Sequence, residues 1–151
     1  MTDRSFEAGN RRSTEDLATL VAALEGDAWT TDTGEGWTVA VVVGHVAFWD
    51  RWQASLWSAA GDGTPIDWPE SAADAVNDGI RELVEAVPVE AIADLAVAAA
   101  EELDTCLDGL ADAQVDAVRA EDRGWLLDAA GHRDEHIAQV RSALESASAR
   151  S

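Results

Sequence analysis

The chain of 151 residues carries a formal charge of −20, with 30 acidic residues against 10 basic ones. Such an acidic surface repels phosphate backbones and anionic membranes, so we expect neither a nucleic acid nor a membrane as a partner. All the basic residues are arginine, which excludes Schiff-base and P-loop chemistry, because both need a lysine. Cys106 is the only cysteine, so an intramolecular disulfide and a cysteine-based zinc site are excluded as well.

The N-terminal residues lack the apolar region of a secretory signal, and no stretch approaches the length of a membrane span. We therefore expect a cytoplasmic protein. One domain is the simplest organisation at this length. We expect a flexible N-terminal tail over residues 1–12, a single helical-bundle domain over 13–147 and a flexible C-terminus over 148–151.

Two helices are predicted in the first part of the chain. Ser13 is a candidate N-cap, and the apolar residues after it recur at helical spacing until Gly26: Leu17, Leu20, Val21 and Leu24. The segment TTDTGEG is predicted to be a loop. Thr38 can cap a second helix that runs to about Ala60, with His45 on its apolar face.

Three further helices are predicted after the loop GDGTPIDWPE. A shorter one covers residues 71–87, and Pro88 breaks it and suits the first turn of the next, which runs to about Leu110. A polar loop follows to Gly124, and the last helix covers residues 125–146. Four main helices and one short helix in the middle connection predict an all-α, up-down four-helix bundle.

The three histidines of the chain form its most informative pattern. His132 and His136 are four residues apart in AAGHRDEHIAQV, so their side chains share one face of the last predicted helix. His45 lies on the apolar side of the second. Three imidazoles from two helices would bind one divalent ion and leave a coordination position open, which is typical of catalytic zinc sites. Because imidazole also binds nickel, iron and manganese, zinc is the first choice among several metals.

Residues around the histidines suggest supporting roles. Trp49, one turn beyond His45, is a candidate wall for a pocket over the metal. Asp128, one turn before His132, could orient an imidazole N–H, and Glu135 is a candidate for the surroundings of the metal. The run HRDEH also spells the HxxEH motif of inverted zinc proteases. We discount that interpretation, because those enzymes take a third ligand well downstream.

The two histidine segments resemble the DinB-like superfamily. GWTVAVVVGHVAFWDRW is similar to its second helix, in which a tryptophan precedes a helix that carries a histidine, and GHRDEHIAQVRSAL is similar to its last helix, with an HxxxH pair. DAVNDGIRELVEAVPVEAIADL is also similar to members of that group. The resemblance covers residues 13–146 and implies a four-helix bundle that binds a divalent metal through His45, His132 and His136.

Characterised members of that superfamily are thiol-dependent enzymes, among them bacillithiol S-transferases and mycothiol-dependent maleylpyruvate isomerases. The resemblance implies a metal-dependent thiol transferase or related detoxification enzyme that acts on a small-molecule substrate, with mycothiol or bacillithiol as the thiol. Two alternatives stay open: a metal-dependent hydrolase on the same site, and a non-catalytic bundle that binds a metal or small ligand. Substrate and oligomeric state also stay open, with a homodimer among the options.

Overall fold

The helices of the bundle are set by apolar stripes that recur at helical spacing. The computed structural model describes residues 1–150. Ser151, which belongs to the expected flexible C-terminus, lies outside the described residues. The α-helices are α1 (Phe6–Ala23), α2 (Val39–Ala60), α3 (Ala73–Val84), α4 (Val89–Asp108), α5 (Asp112–Ala120) and α6 (Ala129–Ala149), and two short strands, β1 (Asp32–Gly34) and β2 (Trp37–Thr38), form an antiparallel hairpin.

Four long helices, α1, α2, α4 and α6, pack together as the bundle, with α2 lying mainly against α4 and α1 against both α4 and α6. The shorter α3 lies in the middle connection and packs on α2. The predicted all-α bundle with a short helix in that connection is therefore confirmed. Within residues 1–150, no helix is both long and apolar enough to cross a bilayer.

The first helix begins earlier than the sequence predicted. It starts at Phe6, so residues 6–12, expected to belong to a loose tail, are helical. Ser13 was expected to be an N-cap, but it lies inside the helix with an exposed fraction of 0%. Its hydroxyl donates to Asp134 of α6 at 2.6 Å. Ser13 thus forms a contact between α1 and α6 and does not mark a helix boundary.

Helix α5 was predicted to be part of a polar loop. It presents few apolar residues, but Val115 and Val118 are fully buried in a second core cluster with Leu103, Leu107 and Leu126. A nine-residue helix with only two such positions resembles a loop in its sequence pattern, since periodicity needs several turns to be visible. Packing in the folded chain stabilises a helix that the local pattern does not predict.

The segment before α2 folds as the β1–β2 hairpin and was expected to be a plain loop. Its turn takes left-handed backbone at three consecutive residues: Gly34, Glu35 and Gly36. Thr38 then caps α2, because its hydroxyl accepts a hydrogen bond from the backbone N–H of Val41 at 3.3 Å. The hairpin is therefore held beside the N-terminal half of α2, which contains His45.

Helix α3 approaches α2 closely at a glycine. A Cβ added to Gly44 would lie 2.5 Å from Cγ2 of Val84, which is closer than carbon atoms can pack. The glycine thus permits the contact between the two helices one residue before His45. The main core cluster surrounds this contact, with Val41, Val42 and Val43 of α2 almost fully buried.

Candidate metal centre

The three histidines meet between α2 and α6. His45 comes from α2 and is 5% exposed, while His132 and His136 lie one turn apart on α6 and are partly buried. One ring nitrogen from each histidine lies within 4.8 Å of the others. The ring centroids are separated by 4.7 Å for His45 and His136, and by 4.6 Å for His132 and His136. This three-histidine centre could hold a metal ion.

The closest pair of ring nitrogens is Nε2 of His45 and Nε2 of His132, 3.0 Å apart. Two nitrogens bound to one zinc ion at about 2.0–2.1 Å with tetrahedral angles would lie roughly 3.3 Å apart. The pair is thus already near the spacing that a shared ion requires. Nδ1 of His45 is buried and has no hydrogen-bond partner within residues 1–150.

The electrostatics of the centre keep the imidazoles of His45 and His132 neutral. Burial, followed by the neighbouring His136 and His132, lowers the pKa of His45 to about 3. Burial, followed by His136 and Arg133, lowers the pKa of His132 to about 4. Neutral imidazole is the form that binds a metal, so both rings are in the ligating state at neutral pH.

A chain of hydrogen bonds fixes the ring of His136. Its Nδ1 lies 2.8 Å from Oε1 of Gln139. Because an amide oxygen can only accept, this contact favours the tautomer that has the proton on Nδ1 and leaves Nε2 available to a metal. Nε2 of Gln139 donates to the hydroxyl of Thr33 at 3.4 Å, and that hydroxyl donates to the backbone carbonyl of Trp37 at 3.0 Å. The hairpin thereby holds one histidine in a defined tautomer, as outer-shell partners do in metal sites.

The centre opens into a cleft of about 1560 Å³ with aromatic walls. The ring of Trp37 lies 5.1 Å from that of His45, and the ring of Trp49 lies 6.2 Å from it. Trp49 also stacks on Trp68 at 5.0 Å and donates its Nε1–H to Asn77 of α3 at 2.9 Å. Tryptophans from α2, the hairpin and the loop before α3 thus enclose the side of the cleft next to the histidines.

The two acids singled out from the sequence form no hydrogen bond with the imidazoles in residues 1–150. Asp128 lines the cleft but caps α6, since its carboxylate accepts the backbone N–H of Gly131 at 2.9 Å. Glu135 is exposed and lines the same cleft. Within residues 1–150, neither accepts a hydrogen bond from a histidine ring. The orienting partner is Gln139, which the sequence analysis missed, although its position one turn after His136 was a usable signal.

Arg133 lies between the two α6 histidines in sequence but points into the core. It is 0% exposed and donates to Asp50 at 2.7 Å and to Asp104 at 2.9 Å. It also donates to the hydroxyl of Thr14 at 2.7 Å, and to the backbone carbonyls of Asn10 and Ala100. Burial raises the pKa of Asp50 to about 6 against the opposing effect of Arg133. This guanidinium is fully engaged in the core, so it is not available to a ligand.

The fold and the site together define a class: an all-α bundle with a three-histidine centre at the base of a tryptophan-lined cleft. The comparison with known families identifies it further. Residues 10–143 match the family model of the mycothiol maleylpyruvate isomerase N-terminal domain. The chain belongs to this family, which is part of the DinB-like superfamily. No curated protein and no solved structure matches the chain.

Proposed function

We propose that the protein binds one divalent metal ion through His45, His132 and His136 and uses it to transfer a low-molecular-weight thiol to an electrophilic small molecule. The observation that carries the proposal is the convergence of three imidazoles, two of them with strongly lowered pKa values, at the base of an aromatic cleft. The family name supports a thiol of the mycothiol type. The proposal places the protein in the cytoplasm, where thiols are kept reduced.

The donor set fits a borderline divalent ion. Three neutral imidazoles suit zinc first and also nickel or iron, and three protein ligands leave a position open for an exogenous group. When bound, such an ion lowers the pKa of a thiol or water in that position. The chain itself supplies the orientation: Gln139 holds the proton on Nδ1 of His136, so that Nε2 can face the ion.

The cleft fits two organic ligands. Its volume of about 1560 Å³ exceeds the roughly 300–1,000 Å³ of a typical small-molecule pocket, so a thiol and an electrophile can occupy it together. Trp37 and Trp49 cover the side next to His45. They shield the ring of His45 from water and offer apolar surface to the body of a substrate.

Metal analysis of protein purified without added metal tests the first half of the proposal. We expect about one divalent ion per chain and the loss of most of it in His132→Ala. Arg141→Gln is the matched control, because Arg141 is an exposed residue of the same helix. Equal metal content in the wild-type protein and in a variant with all three histidines replaced by alanine would refute the centre.

An activity assay tests the second half of the proposal, the transfer of a thiol to an electrophile. Mycothiol and bacillithiol are incubated with 1-chloro-2,4-dinitrobenzene, with metal-loaded and with stripped protein. We expect thiol transfer that disappears on stripping and returns when zinc is restored. Equal rates with and without metal would exclude a role for the ion. Metal-dependent ester hydrolysis without thiol transfer would instead support the hydrolase, and metal-dependent ligand binding without any turnover would support a binding protein.

A further inference from the structure

One arginine of the cleft has no ion-pair or side-chain hydrogen-bond partner in the described part of the chain. Arg81 lies on α3, is partly buried and lines the same cleft as the three histidines. Seven of the ten arginines pair with a carboxylate, and Arg141 and Arg150 are exposed. Arg81 forms no ion pair or side-chain hydrogen bond within residues 1–150, although Asp74 and Asp78 of its own helix line the cleft.

The position of Arg81 is fixed by two neighbouring elements. It follows Asn77 by one helical turn, and Asn77 accepts the indole N–H of Trp49, so this face of α3 is turned toward the histidine side of the cleft. Its Nη1 lies 4.0 Å from the place that a Cβ on Gly36 would occupy. The guanidinium therefore lies between α3 and the turn of the hairpin, which continues directly into Trp37.

We infer that Arg81 binds a single carboxylate of an organic ligand whose apolar body lies on the tryptophan wall. A guanidinium is always charged and presents two parallel N–H donors that match a carboxylate. Every other cleft-lining ionisable side chain, apart from the histidines, is an acid. A second carboxylate on the ligand, away from the histidine centre, would face those acids, so a monocarboxylate is favoured. As a description of the electrophile, this inference rests on the proposed function.

Two other arginines, Arg51 and Arg133, are close in sequence to the histidines. Arg133 is buried and fully hydrogen-bonded. Arg51 is 53% exposed, pairs with Glu102 at 3.2 Å and does not line the cleft of the histidines. Arg81 is thus the cationic side chain of the described chain that can reach a ligand beside the centre.

The test is a titration with three probes that share one body: 4-phenylbutyrate, 4-phenylbutyramide and 4-phenylbutylamine. Binding is measured by calorimetry on zinc-loaded wild-type protein and on Arg81→Gln, Arg81→Lys and Arg51→Gln. We expect the carboxylate to bind most tightly to the wild type, and Arg81→Gln to weaken it about 10-fold or more, the size of a lost charge-assisted pair. Arg81→Lys should recover part of the affinity, and Arg51→Gln should match the wild type.

The outcomes separate this inference from the proposed function. Tighter binding of the amine or the amide, or an unchanged affinity of 4-phenylbutyrate in Arg81→Gln, would overturn the role of Arg81. If 4-phenylbutyrate bound Arg81→Gln with unchanged affinity and lost its binding when the zinc was stripped, the carboxylate would bind the metal instead. Because the titration needs no thiol, a failure of thiol transfer alongside Arg81-dependent binding would refute the transferase and leave the carboxylate site standing.

Discussion

Replacing Gln139 by leucine tests whether its hydrogen bond to His136 supports metal binding at the proposed centre. The change keeps a side chain of similar size but removes the oxygen that accepts the Nδ1 proton of His136 at 2.8 Å. The ring would then lose its fixed tautomer and one of its tethers. Outer-shell partners of this kind typically contribute a factor of 10 to 100 in metal affinity. That factor corresponds to about 1.4–2.8 kcal/mol of binding free energy.

The assay is competition for zinc between the protein and a chelating dye at neutral pH, read as the dissociation constant for one site. Gln139→Glu is the matched variant, because its carboxylate also accepts the Nδ1 proton, and we expect it to bind zinc at least as tightly as the wild type. Thr33→Val leaves the bond between Gln139 and His136 in place and removes the two bonds of the Thr33 hydroxyl, at 3.4 Å to Gln139 and at 3.0 Å to the carbonyl of Trp37. Its effect on zinc affinity should therefore be smaller than that of Gln139→Leu.

Urea unfolding of the metal-free variants provides the control for folding. Gln139 is only partly buried, so we expect all three variants to unfold close to the wild type. If folded Gln139→Leu bound zinc with the wild-type constant, the hydrogen bond would have no role in ligation. If Gln139→Glu lost as much zinc affinity as Gln139→Leu, the tautomer argument would fail. The glutamate carboxylate still accepts the Nδ1 proton of His136, so the two variants should differ.

Three further predictions concern stability. Arg133→Met leaves the buried carboxylates of Asp50 and Asp104 without their cationic partner and should lower the free energy of unfolding by about 3–5 kcal/mol. A loss of less than about 1 kcal/mol in urea unfolding would contradict a stabilising role for this network. Gly44→Ala places a methyl group 2.5 Å from a valine of α3 and should cost about 1–3 kcal/mol, measured by thermal unfolding; wild-type stability would disprove the close approach. Metal-free protein should lose stability as pH falls below about 6.5, because His45 and His132 have folded pKa values of about 3 and about 4 and the unfolded chain takes up their protons first. Asp50, with a pKa raised to about 6, opposes part of that loss between about pH 6 and 4; equal unfolding free energies at pH 7 and 5 would contradict the histidine values.

The long helices and the pairing of His132 with His136 could be predicted because each depends on spacing within one helix. His132 and His136 share a face wherever residues 129–149 are helical, and Thr38 caps α2 through a bond to a residue three positions on. Such signals are local and survive without knowledge of the fold. That His45 meets the other two depends on how α2 and α6 pack, which the family resemblance implied and the structure displays.

The features that were not predicted depend on contacts between distant segments. Arg133 in the run HRDEH has the pattern of a charged surface, yet it is buried because acids on two other helices face it. A signal was present: Asp50 and Asp104 each lie four residues after a buried apolar residue, Val46 and Ala100. An acid at such a core position requires a buried partner. Because the chain has ten arginines, the sequence did not show which of them would be the buried partner.

Helix α6 shows how the core and the centre depend on each other. Its cleft face carries His132 and His136, and its core face carries Arg133, Ile137 and Val140. The five side-chain bonds of Arg133 are directional and come from α1, α2 and α4, whereas apolar packing alone tolerates small rotations.

These bonds therefore set the rotation of α6 about its axis, and with it the direction of the two imidazoles. Asn10 adds a second restraint at the start of the helix, where it accepts the backbone N–H of Ala130 at 3.0 Å and donates to the carbonyl of Leu127 at 2.9 Å. A ring at the end of a side chain moves by more than the backbone when its helix rotates. The buried polar network thus contributes to the placement of His132, whose Nε2 lies 3.0 Å from that of His45. A variant that keeps the helix but loses the network should fold with its histidines misaligned.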